Sequence, residues 1–224
     1  MTLLFIHGSG FTGDVFSQQL VAFPGSVAPN LPGHGAPGGA ATVAEFGDFI
    51  ERFIEKQHLR DVTLCGNSLG GTIALEVALR KNPALRSIVL LGSGARLRVA
   101  PSILEGLRAD FDRMCTELAQ MLYADPTPER VAYAVAAMHH VGPAQTLADY
   151  EACNQFDVTE RLGEVALPVL ALTGEADQMT PPKYAEVLAG RVQAGKARII
   201  PRAGHLVMAE RPEETNAAIA EFLS

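Results

Sequence analysis

Three residues that stand far apart in this chain could together carry out covalent chemistry: a serine, an aspartate and a histidine. Ser68 lies in GNSLG, which fits the pattern G-x-S-x-G; Asp177 follows in GEADQMTP, and His205 in AGHLVMAE. A serine hydroxyl is a weak nucleophile at neutral pH, so it needs a base that an acid holds in the correct orientation. The order serine, acid, histidine predicts acyl transfer, with Ser68 as nucleophile, His205 as general base and Asp177 as the orienting acid.

The glycines of GNSLG indicate a sharp turn between a strand and a helix. The apolar run VTLC precedes the pentapeptide, and a run typical of a helix, TIALEVAL, follows it. Because glycine has no Cβ, Gly66 and Gly70 let the strand and the helix approach closely, with Ser68 raised at the turn. The turn also aims the N–H of Leu69 at the group that Ser68 attacks. The alternative, a glycine-rich turn with a bystander serine, is disfavoured by the flanking strand and helix.

The orienting acid has two rivals in the sequence. Asp177 lies just beyond an apolar strand at 169–173, and ligand groups collect at the carboxyl ends of such strands in open α/β sheets. Asp157 and Glu175 could also orient His205. However, Asp157 precedes that strand and Glu175 lies closer to its end, so the motif favours Asp177.

The remaining histidines favour structural roles. His7, at the end of a strand, is expected to bond the backbone, and His34 is expected to hold its glycine-rich loop by a hydrogen bond. His139 and His140 are neighbours in a helical pattern, where they point in different directions, so they do not predict a metal pair. We expect neither a metal nor a cofactor.

The elements that must position these residues are short apolar runs alternating with longer amphipathic ones. Strands are predicted at 2–6, 26–29, 62–65, 86–91, 169–173 and 197–200. A helix is predicted over 42–57, with a capping box formed by Thr42 and Glu45, and two more begin at Pro181 and Pro212. This alternation predicts an α/β fold: a mostly parallel sheet with helices on both faces.

One stretch, residues 95–166, interrupts the alternation with helical patterns and no convincing strand. We interpret it as a helical cap inserted into a core made of residues 1–94 and 167–224, together forming one domain with a lid. Its methionine and phenylalanine side chains are expected to form the cap's own core, and some of them must roof a pocket over Ser68. Such a roof favours apolar acyl or alkyl groups.

Composition excludes several classes of function. The chain has 224 residues, 48% of them hydrophobic, which suits one sizeable core. Its net charge of −7 and lack of a long Lys/Arg block argue against nucleic-acid binding. No apolar run approaches the roughly 18 residues that span a bilayer, and no signal peptide is evident, so we expect no membrane partner and a cytoplasmic location. We expect a monomer or homodimer. Three scattered cysteines predict neither a disulfide framework nor a zinc site: Cys65, Cys115 and Cys153.

Five segments together resemble the α/β-hydrolase fold family, in its small, capped, esterase-like branch. They are LLFIHGSG, NLPGHG, GNSLGG, GEADQMTP and AGHLVMAERPEE, in family order over nearly the whole chain outside the cap. The resemblance implies a triad of Ser68, Asp177 and His205. It also implies an oxyanion hole made by the backbone N–H groups of Leu69 and Ser9, with Gly10 as the alternative to Ser9 because GSG aligns in two ways.

The chain departs from the family pattern in three places. It begins at what would be the third strand, so we expect an N-terminally shortened fold whose first hairpin is missing. Asn30 stands where an aspartate is usual, and Phe16 where a tryptophan is usual. None of these changes touches the triad.

The resemblance implies a serine hydrolase that cleaves a carboxylic ester or thioester of a small, apolar substrate through an acyl-enzyme intermediate. The nearest alternative is a lyase or synthase that uses the same triad to eliminate or to cleave C–C bonds, as in relatives from menaquinone biosynthesis. Their carboxylate substrates favour cationic pocket walls, for which Arg96 and Arg98 are candidates. A dehalogenase would need an aspartate at position 68. A non-catalytic binding protein on the same fold is the remaining alternative.

Overall fold

A computed structural model, which describes residues 1–224, contains a single sheet of five parallel strands. The strands are β1 (Thr2–Ile6), β2 (Val62–Asn67), β3 (Leu85–Leu91), β4 (Pro168–Gly174) and β5 (Ala194–Ile200), and they lie side by side in that order. β1 to β4 are almost entirely buried, as expected of a parallel sheet with both faces covered. The predicted α/β fold is therefore confirmed.

Ten helices lie between and after the strands, and they are numbered in chain order. They are α1 (Ser17–Ala22), α2 (Val43–Lys56), α3 (Leu69–Leu79), α4 (Pro101–Ala109), α5 (Phe111–Met121), α6 (Pro128–Val141), α7 (Pro143–Gln155), α8 (Lys183–Arg191), α9 (Val207–Glu210) and α10 (Pro212–Leu223). Thr42 caps α2, and its capping box with Glu45 is present. α10 begins at Pro212, but α8 begins two residues after the predicted Pro181, with Pro182 at its N-cap. None of the helices combines the length and apolar composition that crossing a membrane requires.

The sheet separates two hydrophobic layers, and strand alternation assigns the side chains to them. In β1, Leu4 and Ile6 face a layer built with α2, α3 and α8. Leu3 and Phe5 face the other layer, which includes Phe16 and residues of α10 and of the helices between β3 and β4. Both layers are needed because each strand side chain points opposite to the next one.

The strand predicted at 26–29 is wrong, since the structure keeps only one residue of it in the sheet. Val27 bridges β1: its N–H donates to Leu3 O at 3.0 Å and its carbonyl accepts from Phe5 N at 2.8 Å. Pro24 and Pro29, on either side, have no N–H to extend the ladder.

Four other strands are longer than predicted, and β4 extends by one residue at each end, over Pro168–Gly174. β2 runs on to Asn67, β3 starts one residue earlier at Leu85, and β5 starts at Ala194 rather than at residue 197. β5 lies at the edge of the sheet, and its first five residues are exposed or half-buried. An edge strand needs no continuous apolar run, so its start carried little signal in the sequence.

Four helices, α4 to α7, occupy the chain between β3 and β4, followed by a 3-10 turn at Thr159–Glu164. Side chains of this segment reach the cavity that contains Ser68, among them Met121, Tyr150 and Cys153. The division into a core and a cap at residues 95–166 stays a prediction.

Candidate active site

Ser68 occupies the single-residue turn between β2 and α3, in a strained backbone conformation with φ 52° and ψ −114°. Its N–H donates to Leu91 O at 3.0 Å, and Ser93 Oγ donates to its carbonyl at 2.8 Å, so the turn is held from β3. A Cβ on Gly66 would lie 2.1 Å from the carbonyl oxygen of Gly70, and one on Gly70 would lie 2.0 Å from that of Ile6. Only glycine fits at these two positions.

Asp177 follows β4 and is buried, with every lone pair of its carboxylate in use. Oδ1 accepts from the N–H groups of Met179 and Thr180 at 2.9 and 2.8 Å. Oδ2 accepts from the hydroxyls of Thr173 and Thr180 at 3.1 and 2.8 Å. Burial alone would raise the pKa of Asp177, but the charge of His205 and the hydrogen bonds lower it below the usual range.

His205 lies on the loop between β5 and α9, with its ring against Asp177. Its Nδ1 is 3.0 Å from Oδ2 and 3.1 Å from Oδ1 of that carboxylate, and both side chains are almost fully buried. Nδ1 therefore donates its proton to the acid, and Nε2 is left as the basic nitrogen. The two rival acids lie elsewhere: Asp157 pairs with Arg96 at 3.2 Å, and Glu175 accepts from the N–H of Arg202 at 3.3 Å.

Ser68, His205 and Ser9 line one cavity of about 160 Å³. No hydrogen bond joins the Ser68 hydroxyl to His205, which is common before a substrate is bound. The rest of the wall is mainly apolar and includes Leu97, Val99, Ile103, Met121 and Tyr150. Arg98 also lines this cavity, whereas Arg96 does not.

Two backbone N–H groups are available beside Ser68. Leu69 is the first residue of α3, so its N–H has no acceptor within the helix. Ser9 lines the cavity, and its N–H has no acceptor within the protein. In contrast, the N–H of Gly10 donates to Asp149 Oδ2 at 3.0 Å. Of the two alignments of GSG, only the one that uses Ser9 leaves a free donor.

His7 and His34 lie beneath this loop and bond it to its surroundings. His7 Nε2 accepts from the N–H of Leu31 at 3.0 Å, and Nδ1 donates to Gly8 O at 3.0 Å. Burial, helped by the nearby His34, lowers the pKa of His7 to about 3, so the ring is neutral. His34 contacts Pro32 O at 3.0 Å and Asp149 at 2.8 Å. His139 and His140 are exposed on α6.

Two buried acids near the site were missed by the sequence analysis. Glu210 accepts from the N–H groups of Ala124 and Asp125 at 3.1 and 3.2 Å and also from Gly204, so it anchors the loop that carries His205. Asp149 shares the buried face of α7 with Thr146 and Cys153. Asp149 follows Thr146 by three residues and precedes Cys153 by four, which is the spacing of one helix face. This spacing was the sequence signal that could have identified Asp149 as buried.

Known proteins resemble this chain over almost its whole length. A family model described as the alpha/beta hydrolase family matches residues 3–218. The pimeloyl-(acyl-carrier protein) methyl ester esterase of Neisseria meningitidis serogroup B is 26% identical over 238 residues, covering 97% of this chain and 91% of that protein. The 2-succinyl-6-hydroxy-2,4-cyclohexadiene-1-carboxylate synthase of Escherichia coli is 29% identical over 245 residues, covering 99% and 93%.

The solved structure of a thermophilic esterase has the same fold. It superimposes with a TM-score of 0.90 at 31% identity, covering 99% of this chain and 88% of that one. The family model matches all but a few residues at each end of the chain. Together with the esterase structure, it shows both the fold and the family of this protein. The chain therefore belongs to the alpha/beta hydrolase family and is an enzyme of that family.

Proposed function

We propose that this enzyme is a serine esterase or thioesterase that acts on a small substrate with a short apolar acyl group. The observation that carries the proposal is the buried Asp177–His205 pair, which faces the same cavity as Ser68 at its strained turn. A paired histidine beside a serine is the arrangement that activates a hydroxyl. The esterases among the similar proteins support the same reaction.

The first half of the reaction forms an acyl-enzyme. Ser68 Oγ attacks the carbonyl carbon of the ester while its proton moves to His205 Nε2. The carbonyl electrons move to oxygen, and the N–H groups of Ser9 and Leu69 stabilise the resulting oxyanion. When the carbonyl re-forms, the bond to the alcohol or thiol breaks, and His205 gives its proton to that leaving group.

The second half uses water in place of the alcohol. His205 Nε2 takes a proton from water, whose oxygen attacks the acyl carbon. The tetrahedral intermediate collapses, the bond to Ser68 Oγ breaks, and the proton on Nε2 returns to the serine. Asp177 keeps its charge throughout and stabilises the imidazolium that forms in each half.

The cavity supports a short acyl group. Its volume of about 160 Å³ is close to that of an engineered apolar cavity of about 150 Å³ that binds benzene, and apolar side chains form most of its wall. Ile103 and Met121 belong to the proposed cap, residues 95–166, and limit the space on that side. We therefore expect acyl chains of about two to six carbons to fit best.

Hydrolysis of p-nitrophenyl esters with acyl chains of increasing length tests this function. Wild-type enzyme should hydrolyse short esters best, and Ser68→Ala should lose at least about 10³-fold in kcat. Ser102→Ala, which changes an exposed serine on α4, is the matched control and should keep full activity. A folded wild-type enzyme that hydrolyses none of these esters would contradict the proposal.

A lyase that uses the same triad is the second candidate. Arg98 favours it, because this exposed cation lines the cavity of Ser68 and could pair with a substrate carboxylate. The synthase among the similar proteins also favours it. Ester hydrolysis that needs Ser68 and is unchanged in Arg98→Gln would support the esterase. An enzyme inactive on esters that eliminates from a carboxylate-bearing substrate, and needs Arg98 to do so, would support the lyase.

A further inference from the structure

Asp149 is fully buried on α7, and its carboxylate has hydrogen-bond partners in two other segments and one on α7 itself. Oδ2 accepts from the N–H of Gly10 at 3.0 Å and from His34 Nε2 at 2.8 Å. Oδ1 accepts from Gln145 Nε2 at 2.9 Å. The carboxylate thus joins α7 to the 8–10 loop, which we call the oxyanion loop, and to the loop around His34.

The partner of this carboxylate is the buried ring of His34. Both ring nitrogens of His34 face oxygen atoms: Pro32 O lies 3.0 Å from Nδ1, and Asp149 Oδ2 lies 2.8 Å from Nε2. Burial alone would lower the pKa of His34, but the hydrogen bond and charge of Asp149 raise it above its ordinary value. Three donors thus converge on one buried carboxylate, and hydrogen bonds inside the protein are stronger than the same bonds in water.

Gly8 O accepts from His7 Nδ1 and from the Phe11 N–H, and the hydrogen bond to Asp149 holds the oxyanion loop at Gly10. Gly10 turns at φ +71°, directly after Ser9, which lines the cavity and whose N–H has no acceptor within the protein. The hydrogen bond from Gly10 to Asp149 orients the peptide between Ser9 and Gly10, which adjoins the Gly8–Ser9 peptide that carries the proposed oxyanion donor. Catalysis is sensitive to such placement, because a shift of about 1 Å in a reacting geometry can cost about 10²-fold in rate.

We propose that Asp149 is a positioning residue. It holds the oxyanion loop in place for catalysis by joining that loop to helix α7 in the proposed cap. The inference rests on the proposed function, since it needs an oxyanion to form at Ser9 and Leu69. Asp149 does not touch the substrate. It acts through Gly10, and the position of α7 is thereby coupled to the geometry of the oxyanion hole.

Two substitutions at this position test the proposal. Asp149→Ala leaves the Gly10 N–H without an acceptor, and kcat for a short p-nitrophenyl ester should fall about 10- to 100-fold with KM within about threefold. Asp149→Asn keeps one oxygen that can accept from the Gly10 N–H but replaces the other with an NH₂ group, so it should rescue part of the loss. Glu117→Gln, which alters an exposed acid that pairs with Arg113 within α5, away from α7 and the cavity, is the matched control and should keep wild-type kcat.

Inhibitor binding separates positioning from a general structural effect. An alkylboronic acid forms a tetrahedral adduct with the serine and needs the oxyanion hole, whereas the carboxylic acid product does not need it in the same way. The Ki of the boronic acid should rise by the same factor as kcat falls in both Asp149 variants, with the product Ki unchanged. If Asp149→Ala does not fold, Asp149→Asn decides by the same comparison.

The proposal is overturned if the folded variants keep kcat within twofold of wild type, or if the two inhibitors weaken equally. Its failure is distinct from failure of the proposed function. An inactive wild-type enzyme refutes the esterase and the inference together. An active wild-type enzyme with unaffected Asp149 variants refutes the inference alone.

Discussion

Replacing Asp177 by asparagine should leave the fold intact and misdirect the proton of His205. The N–H groups of Met179 and Thr180 both donate to Oδ1, so an asparagine must place its oxygen there. Its NH₂ then takes the place of Oδ2, where it faces His205 Nδ1. A donor at that point forces Nδ1 to accept, so the ring proton moves to Nε2 and the general base is lost.

The expected fall in kcat follows from the loss of the general base in that tautomer. Loss of the base in a Ser-His-Asp site lowers kcat by about 10⁴, which is about 5.4 kcal/mol at 1.36 kcal/mol per tenfold change. The free energy of unfolding should change far less. Both hydrogen bonds to Oδ1 remain, the Thr180 hydroxyl can rotate to accept the second N–H of the new amide, and the Thr173 hydroxyl can donate to Thr180 O, so we expect a loss of about 1–2 kcal/mol.

The assay combines ester turnover with urea unfolding at several pH values. Since the pKa of Asp177 is lowered in the folded state, its stabilising contribution is present above the unfolded value, about 3.9, and is lost as the pH falls through the folded value. The stability difference between wild type and Asp177→Asn should therefore shrink in acid. Asp157→Asn, which changes an acid paired with Arg96, is the control and should keep full turnover. A folded Asp177→Asn enzyme with kcat within tenfold of wild type would refute the reasoning.

Three further predictions concern the turn, the cavity and the buried histidine. Ser68→Gly relieves a backbone strain of about 1–3 kcal/mol that Ser68→Ala retains, so it should be the more stable of two inactive variants in urea unfolding; equal stabilities would contradict the strain. Met121→Ala enlarges the cavity and should move the best acyl chain of the ester series about two to three carbons longer, while an unchanged preference would place the acyl group elsewhere. His7 is neutral when folded, with its pKa lowered to about 3, whereas the unfolded chain binds a proton below about 6.5. Stability should therefore fall as the pH drops from 6.5 towards 3, by about 1.4 kcal/mol per pH unit from this residue. His7→Gln should remove that slope, and the exposed His139→Gln should keep it.

The sequence predicted best what depends on local patterns. Buried parallel strands appear in the sequence as apolar runs. The motif GNSLG between a strand and a helix predicts a sharp turn, because close backbone contacts require its two glycines. The exposed edge strand β5 and the single bridging residue Val27 were predicted less well. Whether a short run joins a sheet depends on partners elsewhere in the chain, and an edge strand needs no apolar pattern.

Long-range polar contacts were not predictable. Asp149 meets His34 and Gly10 from positions 115 and 139 residues away, and no local pattern encodes such pairings. The same holds for Glu210, which reaches Ala124 across 86 residues. The placement of Asp177 against His205, 28 residues apart, could be expected because each follows a strand whose carboxyl end lies at the same edge of the sheet.

The central claim is that Ser68 carries the acyl group during turnover. The most direct measurement is to mix the enzyme rapidly with a short p-nitrophenyl ester, quench it in acid and determine the mass of the peptide that contains Ser68. The account predicts a peptide heavier by one acyl group, and neither the added mass nor hydrolysis in folded Ser68→Ala. Hydrolysis at the wild-type rate by Ser68→Ala, or an acyl group on a different residue, would contradict it.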